Sequence, residues 1–376
     1  AHLRRCYQPF KMRKVAVSSW ATSTFTKGSK MSLFELACEP SVQLIRESGI
    51  SAKEIEAVLF SSCATDQYSC SIISEMLGIR PRISYRIDNL CNSGTNAVIS
   101  AFAIIASGLC NSVLVVGAEK VDSPGNKLLW DVTRGSFMFP VHWAAIFAKA
   151  HMRKYGTTEE QMAMVSIKNH KNASKNPLAL FGKEVALQEV MNSKKIAPPI
   201  KLLDCSAPCD GSSAILLVSE EKARSLENPV FIKGIGQQTT SASFANATPD
   251  LTTIEATRLA ARTAFEMSDT KLSEIDVAEL HDAFTILEIL AYEDLGFANK
   301  GEGGKFVNQE QIVINPRGGI IGCGHPVGAT GVAQVAEIAS QLAGKAGERQ
   351  IRKCKTGLVH NLAAAGSSAS VIVMGV

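Results

Sequence analysis

The chain has 376 residues, 46% of them hydrophobic and 20% charged, which is enough apolar material for a large core and excludes a disordered protein. Its net charge of +4 is too small to indicate nucleic-acid binding. Ten scattered cysteines are too few for a disulfide scaffold, and free thiols are usual in a reducing cytosol. We therefore expect a cytoplasmic protein of two or three domains, because a domain averages roughly 150 residues.

The N-terminal residues 1–11 are basic and have no apolar signal-peptide core, so we interpret them as an upstream extension or an expression remnant ahead of Met12. A stretch of 30 uncharged residues between Asp88 and Glu119 is long enough to span a membrane. Asn, Ser and Gly residues interrupt this stretch, which favours a buried helix followed by a buried strand. We therefore expect no membrane association.

Short runs rich in β-branched residues alternate with longer helical patterns along the chain. Strands are predicted at 14–18, 57–60, 113–116, 214–218 and 230–235. Helices are predicted at 34–47, 94–107 and 159–173. This alternation predicts an α/β fold with buried, largely parallel sheets.

Two pairs of segments indicate an internal duplication. Residues 50–63 align with 270–283, and in both a helix end leads into a strand. Residues 91–98 align with 325–332, and each is followed by an alanine-rich helix and a hydrophobic strand. Because the two matches occur in the same order, they predict two similar α/β halves.

The segment from 149 to 201 differs in charge from the rest of the chain. It has ten Lys or Arg residues against four Glu, a local net charge of +6. One interpretation is a solvated helical insertion, and the other is a binding surface for a polyanion smaller than DNA, such as a nucleotide phosphate. The candidate phosphate ligands are Arg153, Lys154, Lys168, Lys171, Lys175 and Lys183.

Cys91 is the strongest candidate for a nucleophile. It follows a predicted strand, and Ser93 and Gly94 begin the predicted helix behind it. A thiol at a helix N-terminus faces unpaired amide N–H groups and the positive end of the helix dipole, both of which favour the thiolate. The small residues leave backbone amides accessible for an oxyanion hole. The alternative is a buried structural cysteine.

His325 occupies the matching position in the second half, within the glycine-rich segment 318–331. So many glycines indicate a ligand that passes close to the backbone. An imidazole at this place is suited to take the proton of Cys91, as activation of a nucleophile requires. The alternative is a histidine that satisfies loop carbonyls.

Two further histidines end predicted strands, where α/β proteins place active-site groups: His281, which Asp282 follows, and His360. His281 is a candidate hydrogen-bond donor to a developing enolate or thioester oxygen. The small residues after His360 leave backbone amides open. No His or Cys pair has zinc-finger spacing and no HExxH motif is present, so we expect no metal.

Four motifs, in order and spacing, resemble the thiolase family: CNSGTNA around Cys91, HDAF from His281, GGIIGCGHPVGATG around His325 and HNLAAAG from His360. The resemblance covers nearly the whole chain from Met12. It is closest to the sterol-carrier-protein branch and the related archaeal enzymes, which have His-Asp where other thiolases have Asn-Glu. The segments 151–163 and 204–217 are also similar to that branch.

The resemblance implies a five-layered αβαβα fold of two duplicated halves. The N-terminal half would span 12–230, with an inserted loop domain at about 121–203 that binds coenzyme A, and the C-terminal half would span 231–376. Coenzyme A and acyl-CoA would be substrates, with no tightly bound cofactor. The chain would be an acetyl-CoA C-acyltransferase that interconverts a short-chain 3-ketoacyl-CoA plus CoA with two acyl-CoA molecules, in a ping-pong Claisen reaction.

The resemblance also implies a role for each candidate residue. Cys91 would accept the acyl group, and His325 would be its base. His281 would polarise the thioester oxygen of the second substrate. The backbone amides of Cys91 and Ala364 would form the oxyanion hole.

One departure from the family is the missing second cysteine, which moves the proton at the α-carbon of the substrate. The two positions where thiolases place it hold Leu362 and Ala283 here. Cys323 is a candidate replacement, although a thiol beside a glycine turn is equally consistent with an inert residue; otherwise His281 or His360 would carry the proton. If nothing replaces it, the remaining site resembles the Cys-His-His site of decarboxylating ketoacyl synthases.

A third alternative is a non-catalytic thiolase-like protein that binds acyl-CoA or a partner. Thiolases associate through their N-terminal halves, so the resemblance implies a homodimer or homotetramer. Some archaeal relatives work in a complex with 3-hydroxy-3-methylglutaryl-CoA synthase, which is therefore a candidate partner.

Overall fold

The structure, a computed structural model, describes residues 12–121, 139–247, 249–309 and 311–376. The predicted extension at 1–11 and residues 122–138 of the predicted inserted domain lie outside these ranges. Within the described ranges, no helix is long and apolar enough to cross a membrane.

The strands are β1 (Val15–Thr22), β2 (Ala57–Ser61), β3 (Ile83–Ile87), β4 (Ser112–Glu119), β5 (Lys195–Ala197), β6 (Ile200–Lys201), β7 (Gly211–Ser219), β8 (Val230–Thr239), β9 (Val277–Glu279), β10 (Val313–Ile314), β11 (Thr356–Ala363) and β12 (Ser368–Gly375). The helices are α1 (Leu33–Ser48), α2 (Ser69–Met76), α3 (Ser93–Ala106), α4 (Pro140–Tyr155), α5 (Glu159–Ala173), α6 (Leu187–Met191), α7 (Glu220–Ala223), α8 (Phe244–Ala247), α9 (Glu255–Ser268), α10 (Thr285–Asp294), α11 (Gly303–Phe306), α12 (Gly319–Cys323) and α13 (Val327–Leu342). Ten of the strands form one sheet in the order β10-β9-β11-β12-β8-β1-β7-β4-β2-β3, and β5 pairs with β6 separately.

The two halves of the large sheet have the same topology. The N-terminal half of the sheet has the order β3-β2-β4-β7-β1, and the C-terminal half has the order β10-β9-β11-β12-β8. When the five strands of each half are numbered along the chain, both orders read third, second, fourth, fifth, first. In each half the third, second and fourth strands are parallel, and the fifth is antiparallel to both of its neighbours. The predicted duplicated α/β fold is confirmed. The expectation of a largely parallel sheet is wrong, since five of the nine pairings between its described strands are antiparallel.

The aligned segments of the sequence occupy equivalent places in the two halves. A single 3₁₀ turn precedes β2 at Ala52–Glu54, and another precedes β9 at Leu272–Glu274. Helix α3 begins two residues after Cys91, and α13 begins two residues after His325. The duplication therefore places one candidate site residue at the start of each central helix.

Helices cover both faces of each half of the sheet, which gives five layers. Helix α1 packs on the outer face of the N-terminal half, and α9 packs on that of the C-terminal half. Between them, α3 and α13 contact each other and strands of both halves. These two helices approach closely because glycines lie at their contact: a Cβ on Gly94 would lie 2.8 Å from the backbone nitrogen of Val332. Every residue of α13 is buried, as expected for a helix at the centre of a fold.

The predicted elements are confirmed, and several are longer than predicted. The strand predicted at 214–218 is the centre of β7, and the helix predicted at 34–47 is α1. A capping box of Ser32 and Glu35 begins α1, and Gly49 in the left-handed conformation ends it. The uncharged stretch before Glu119 forms the largely buried α3 and the buried β4.

Between β4 and β7 the chain forms α4, α5, α6 and the β5–β6 hairpin, within the basic segment. Helix α5 begins with a capping box of Thr158 and Gln161 and has two glutamates in its first turn. It packs against α10 and α12 of the C-terminal half. Helix α10 begins four residues after His281, and α12 ends two residues before His325. The inserted segment therefore supports the two loops that carry these histidines.

Candidate active site

Cys91 lies in a tight turn between β3 and α3. Leu90 has a φ of 50°, in the left-handed region, and this reverses the direction of the chain between strand and helix. Ser93 closes the turn, because its hydroxyl accepts the backbone N–H of Asn89 at 2.7 Å and donates to the carbonyl of Leu90 at 2.6 Å. The thiol is thereby held at the N-terminus of α3.

His325 lies at the start of α13 and faces this thiol. Its Nε2 is 3.3 Å from Cys91 Sγ, and its Nδ1 is 2.8 Å from the hydroxyl of Thr330. That hydroxyl donates to the carbonyl of Pro326 at 3.3 Å, so it accepts from Nδ1–H. Nε2 is then unprotonated and is the acceptor for the Cys91 thiol.

The thiol and the imidazole are both held in their neutral forms. Burial raises the pKa of the Cys91 thiol to about 12, although hydrogen bonds from its own backbone N–H and from that of Ala364 act in the opposite direction. Burial, followed by the charge of Arg317, lowers the pKa of His325 to about 4. The N–H groups favour the thiolate, as expected, but desolvation outweighs them. The thiolate forms only as His325 takes the proton.

His281 completes a cluster of three side chains. One ligand atom each from Cys91, His281 and His325 lies within 4.8 Å of the other two, and the two imidazole rings are 5.5 Å apart at 78°. Burial and the neighbouring His325 lower the pKa of His281 well below its usual value, whereas the side chain of Asn361 acts to raise it. The structure therefore brings together three candidate residues from the two halves.

The segment 205–208 joins the two loops that carry these histidines. The backbone N–H of Ser206 donates to the carbonyl of Ala283, within the HDAF motif, at 2.8 Å. The backbone N–H of His325 donates to the carbonyl of Ala207, also at 2.8 Å. The CSAPC sequence thus acts as a backbone spacer between the two histidine motifs.

Two candidates, His360 and Cys323, lie outside the cluster of Cys91, His281 and His325. The Nε2 of His360 is 3.0 Å from the hydroxyl of Thr257, and its Nδ1 accepts the backbone N–H of His281 at 3.5 Å, so both ring nitrogens are used. Cys323 is fully buried, and its thiol donates to the carbonyl of Arg317 at 3.0 Å. His360 thus contacts the backbone of His281, and the Cys323 thiol is bonded away from the cluster. A role of either residue in moving the α-proton stays a prediction.

The basic residues of the inserted segment divide into two groups. Lys168 is turned inward and pairs with the buried Glu288 at 2.9 Å, so its ammonium is already engaged, and its role in phosphate binding stays a prediction. Lys171, Lys175 and Lys183 are exposed. An open cavity of about 720 Å³ lies beside α4 and is lined by Ile146, Lys149, Ala150, Arg153, Lys154, Pro249, Asp250, Leu251 and Thr252. Three cations therefore border this cavity against a single carboxylate.

Buried carboxylates surround the site, and sequence reasoning gave none of them a role. Asp282 and Glu288 are both buried, and Nδ2 of Asn169 donates to both, at 2.6 and 2.7 Å. Glu119 is a third buried carboxylate and ends β4. Glu119 interrupts an otherwise apolar strand and Glu288 an apolar helix, which is the sequence signal that would have revealed them.

The glycines of 318–331 are required by protein contacts, which corrects their interpretation as a ligand-binding loop. A Cβ on Gly322 would lie 2.6 Å from the Cβ of Ala173 on α5. A Cβ on Gly328 would lie 2.6 Å from the backbone of Ser62 at the end of β2. The segment needs glycine because other elements pack directly on its backbone.

The three clustered donor atoms also have the spacing of metal ligands. Cys and His side chains are common zinc ligands. The expectation that no metal takes part remains a prediction, which activity unaffected by a chelator would support.

Comparisons with known proteins agree with this geometry. The family model described as the thiolase N-terminal domain matches residues 15–221, and that described as thiolase C-terminal domain-like matches 236–376. An acetyl-CoA acetyltransferase of Methanothermobacter thermautotrophicus is 36% identical over 96% of this chain and 99% of its own. Sterol carrier protein 2 of Oryctolagus cuniculus is 36% identical over 75% of this chain and 56% of its own. The solved Ltp2-ChsH2(DUF35) aldolase is 26% identical, covering 96% of this chain and 97% of its own with a TM-score of 0.85.

Proposed function

Because this chain belongs to the thiolase family, we propose that it is an acyl-CoA C-acyltransferase with Cys91 as its nucleophile. The observation that carries this proposal is the 3.3 Å contact between Cys91 Sγ and Nε2 of His325. We propose a short-chain 3-ketoacyl-CoA such as acetoacetyl-CoA as the substrate, since a relative that matches nearly the full length is an acetyl-CoA acetyltransferase.

In the first step the acyl group moves from coenzyme A to Cys91. The thiol gives its proton to Nε2 of His325, and the sulfur attacks the thioester carbonyl. The backbone N–H groups of Cys91 and Ala364, which already act on the sulfur, are placed to hold the oxyanion that develops beside it. The bond from carbon to the CoA sulfur breaks, and His325 returns the proton to the leaving thiolate.

In the second step an α-proton must leave the second acyl-CoA before its carbon attacks the acyl-enzyme. With Cys323 and His360 outside the cluster, we assign that proton to a ring nitrogen of His281. The carbanion forms the new carbon–carbon bond, and the bond between the acyl carbon and Cys91 Sγ breaks. His281 then returns the proton to the Cys91 sulfur, so the free enzyme is regenerated.

We further propose that the cavity beside α4 holds the phosphates of coenzyme A. Lys149, Arg153 and Lys154 border it, and Lys154 also pairs with Asp250 at 3.2 Å. Leu251 of the cavity wall packs against the same hydrophobic cluster as the site residues Leu90 and Ala364.

The test is consumption of acetoacetyl-CoA with and without free CoA, together with the mass of the Cys91-containing peptide. We expect loss of substrate that depends on CoA, and an acyl adduct on Cys91 that forms when CoA is omitted. The Cys91→Ala variant serves as the control and should give neither. Absence of both turnover and adduct in the wild type would overturn the proposed function and favour a non-catalytic acyl-CoA-binding protein.

An aldolase-type cleavage is the second candidate, favoured by the Ltp2-ChsH2(DUF35) aldolase and by the single thiol in the cluster. Such a reaction splits a 3-hydroxyacyl-CoA at the bond between its α- and β-carbons and needs neither free CoA nor an acyl-cysteine. Cleavage of a 3-hydroxyacyl-CoA without an adduct on Cys91 would support it. Turnover that depends on malonyl-CoA, with no acetyl-CoA exchange, would instead support a decarboxylating synthase.

We propose that the protein is a homodimer or homotetramer that associates through its N-terminal half. Strand β3 is one edge of the ten-stranded sheet, and its residues 84–86 are exposed. A complex with 3-hydroxy-3-methylglutaryl-CoA synthase is a further proposal. Light scattering of the pure protein, alone and with a candidate partner, tests both.

A further inference from the structure

The loop that carries His325 is held between two helix N-termini. Helix α12 begins at Gly319 and ends at Cys323, and α13 begins at Val327. The first N–H groups of a helix have no partner within it, so groups outside the helix must satisfy them. At both helices a buried carboxylate does so.

Asp282 holds the first of the two helices. Its Oδ1 accepts the backbone N–H of Ile320 at 2.6 Å, and its Oδ2 accepts that of Ile321 at 3.2 Å and Nδ2 of Asn169 at 2.6 Å. Because Asp282 directly follows His281, these bonds connect the two histidine loops through one side chain.

Glu119 holds the second helix from the opposite half of the molecule. Its Oε2 accepts the backbone N–H of Gly328 at 3.0 Å and that of Cys63 at 2.8 Å. Its Oε1 accepts the hydroxyl of Ser62 at 3.1 Å. Glu119 therefore ties the start of α13 to the ends of β2 and β4.

Glycine is needed where each carboxylate meets its helix. Gly319 has a φ of 60°, and a Cβ there would collide with Oδ2 of Asp282. A Cβ on Gly328 would lie 3.0 Å from Oε2 of Glu119 and 2.6 Å from the carbonyl oxygen of Ser61. The two ends of the loop are thus fitted to their carboxylates in the same way.

We propose that Asp282 and Glu119 are positioning residues that fix the His325 imidazole against Cys91 and His281, one at each end of the loop. The expected effects on kcat rest on the proposed function, whereas the hydrogen bonds that hold the loop do not depend on it. Neither carboxylate hydrogen-bonds to the three clustered side chains through the bonds described, so each positions His325 through the backbone of the loop. The charge of Glu119 in addition raises the pKa of the Cys91 thiol.

The test uses Asp282→Asn and Glu119→Gln, which keep the shape of each side chain but replace one acceptor oxygen by a donor. Asp276→Asn is the matched control. Asp276 lies directly before β9, whereas Asp282 lies shortly after it. The Oδ2 of Asp276 accepts two backbone N–H groups, those of Lys355 and Thr356, at 2.8 and 3.0 Å. Asp276→Asn therefore makes the same chemical change beside a pair of backbone N–H groups at the far end of the same strand.

We expect Asp282→Asn to lower kcat about 100-fold, because both of its oxygens accept backbone N–H groups of α12 and a catalytic group displaced by about 1 Å can lose that much. Glu119→Gln should lower kcat less, because the amide oxygen can keep the N–H groups of Gly328 and Cys63 and the amide N–H can donate to the Ser62 hydroxyl. KM should change little, and Asp276→Asn should leave kcat unchanged. An effect on KM alone, or equal losses of kcat in the control, would overturn the assignment. Thermal unfolding of all three variants shows whether they remain folded.

A second readout does not depend on thiolase activity. The rate at which iodoacetamide alkylates Cys91, followed on its peptide by mass spectrometry, depends on His325 as the base. Asp282→Asn should slow alkylation to the rate of His325→Ala, and adding it to His325→Ala should have no further effect. Glu119→Gln also removes a charge that raises the pKa of the Cys91 thiol, so its effect on alkylation is measured as the difference between wild-type and His325→Ala backgrounds: it should slow alkylation relative to wild type by more than it does in His325→Ala. Wild-type alkylation rates in Asp282→Asn would refute its positioning role even if no substrate is ever found.

Discussion

The two halves of this chain share one strand order but contribute different chemistry. The N-terminal half places Cys91 at the start of α3, and the C-terminal half places His325 at the equivalent start of α13. After β2 the chain continues with serine and cysteine, whereas after β9 it continues with His281 and Asp282. The duplication thus supplies two helix N-termini that meet at the centre. In the proposed mechanism the nucleophile comes from one half and the groups that move protons come from the other.

Removing the proposed nucleophile should have the largest effect on turnover. We expect Cys91→Ala to lower turnover at least about 1000-fold, since no other described thiol joins the cluster. Cys323→Ala is the informative control, because its thiol is bonded to the carbonyl of Arg317. The acyl adduct and steady-state turnover should survive in Cys323→Ala. Adduct formation without turnover in that variant would instead make Cys323 the missing acid/base.

Substituting His281 should separate the two halves of the reaction. An asparagine can polarise an oxygen, as it is expected to do in other thiolases, but it cannot carry a proton. We therefore expect His281→Asn to form the acyl-enzyme normally and to lose condensation by about 100-fold or more. Exchange of the acyl-CoA α-protons with D₂O, followed by NMR, should fall in parallel.

Preserved exchange in His281→Asn would show that this histidine only polarises the thioester oxygen. Loss of acylation as well would show that the substitution disturbs His325, whose ring is 5.5 Å away. The two outcomes therefore distinguish a role in proton transfer from one in holding the cluster together.

Much of this arrangement was predictable because it follows from local patterns. Helix starts after apolar strands revealed Cys91 and His325, and two aligned segments revealed the duplication. The contacts of Lys168 could not be predicted, because its partner Glu288 lies far along the chain in another element. The neutral state of Cys91 was also hidden, since a helix N-terminus is visible in sequence but the desolvation that outweighs it depends on tertiary packing.

The pH dependence of acylation should reflect the buried C-terminal base. A histidine acts as a base only when neutral, and its activity is lost as pH falls through its pKa. With the pKa of His325 lowered to about 4, acyl-enzyme formation should stay nearly constant between about pH 6 and 8. Stopped-flow acylation with a correction for enzyme stability measures this directly. Half-maximal activity near an unshifted value of about 6.5 would contradict the neutral thiol–imidazole pair.

The smallest effect should distinguish the two groups of basic residues in the inserted segment. Arg153 is exposed and borders the cavity beside α4, so Arg153→Ala should raise the KM for CoA only about threefold to tenfold, and less in high salt. Lys168→Met removes an equal charge, but Lys168 pairs with Glu288 inside the C-terminal half. It should lower the melting temperature because Glu288 loses its partner, and the KM for CoA should not change. A larger rise in KM for Lys168→Met than for Arg153→Ala would place the phosphates at α5 instead of α4.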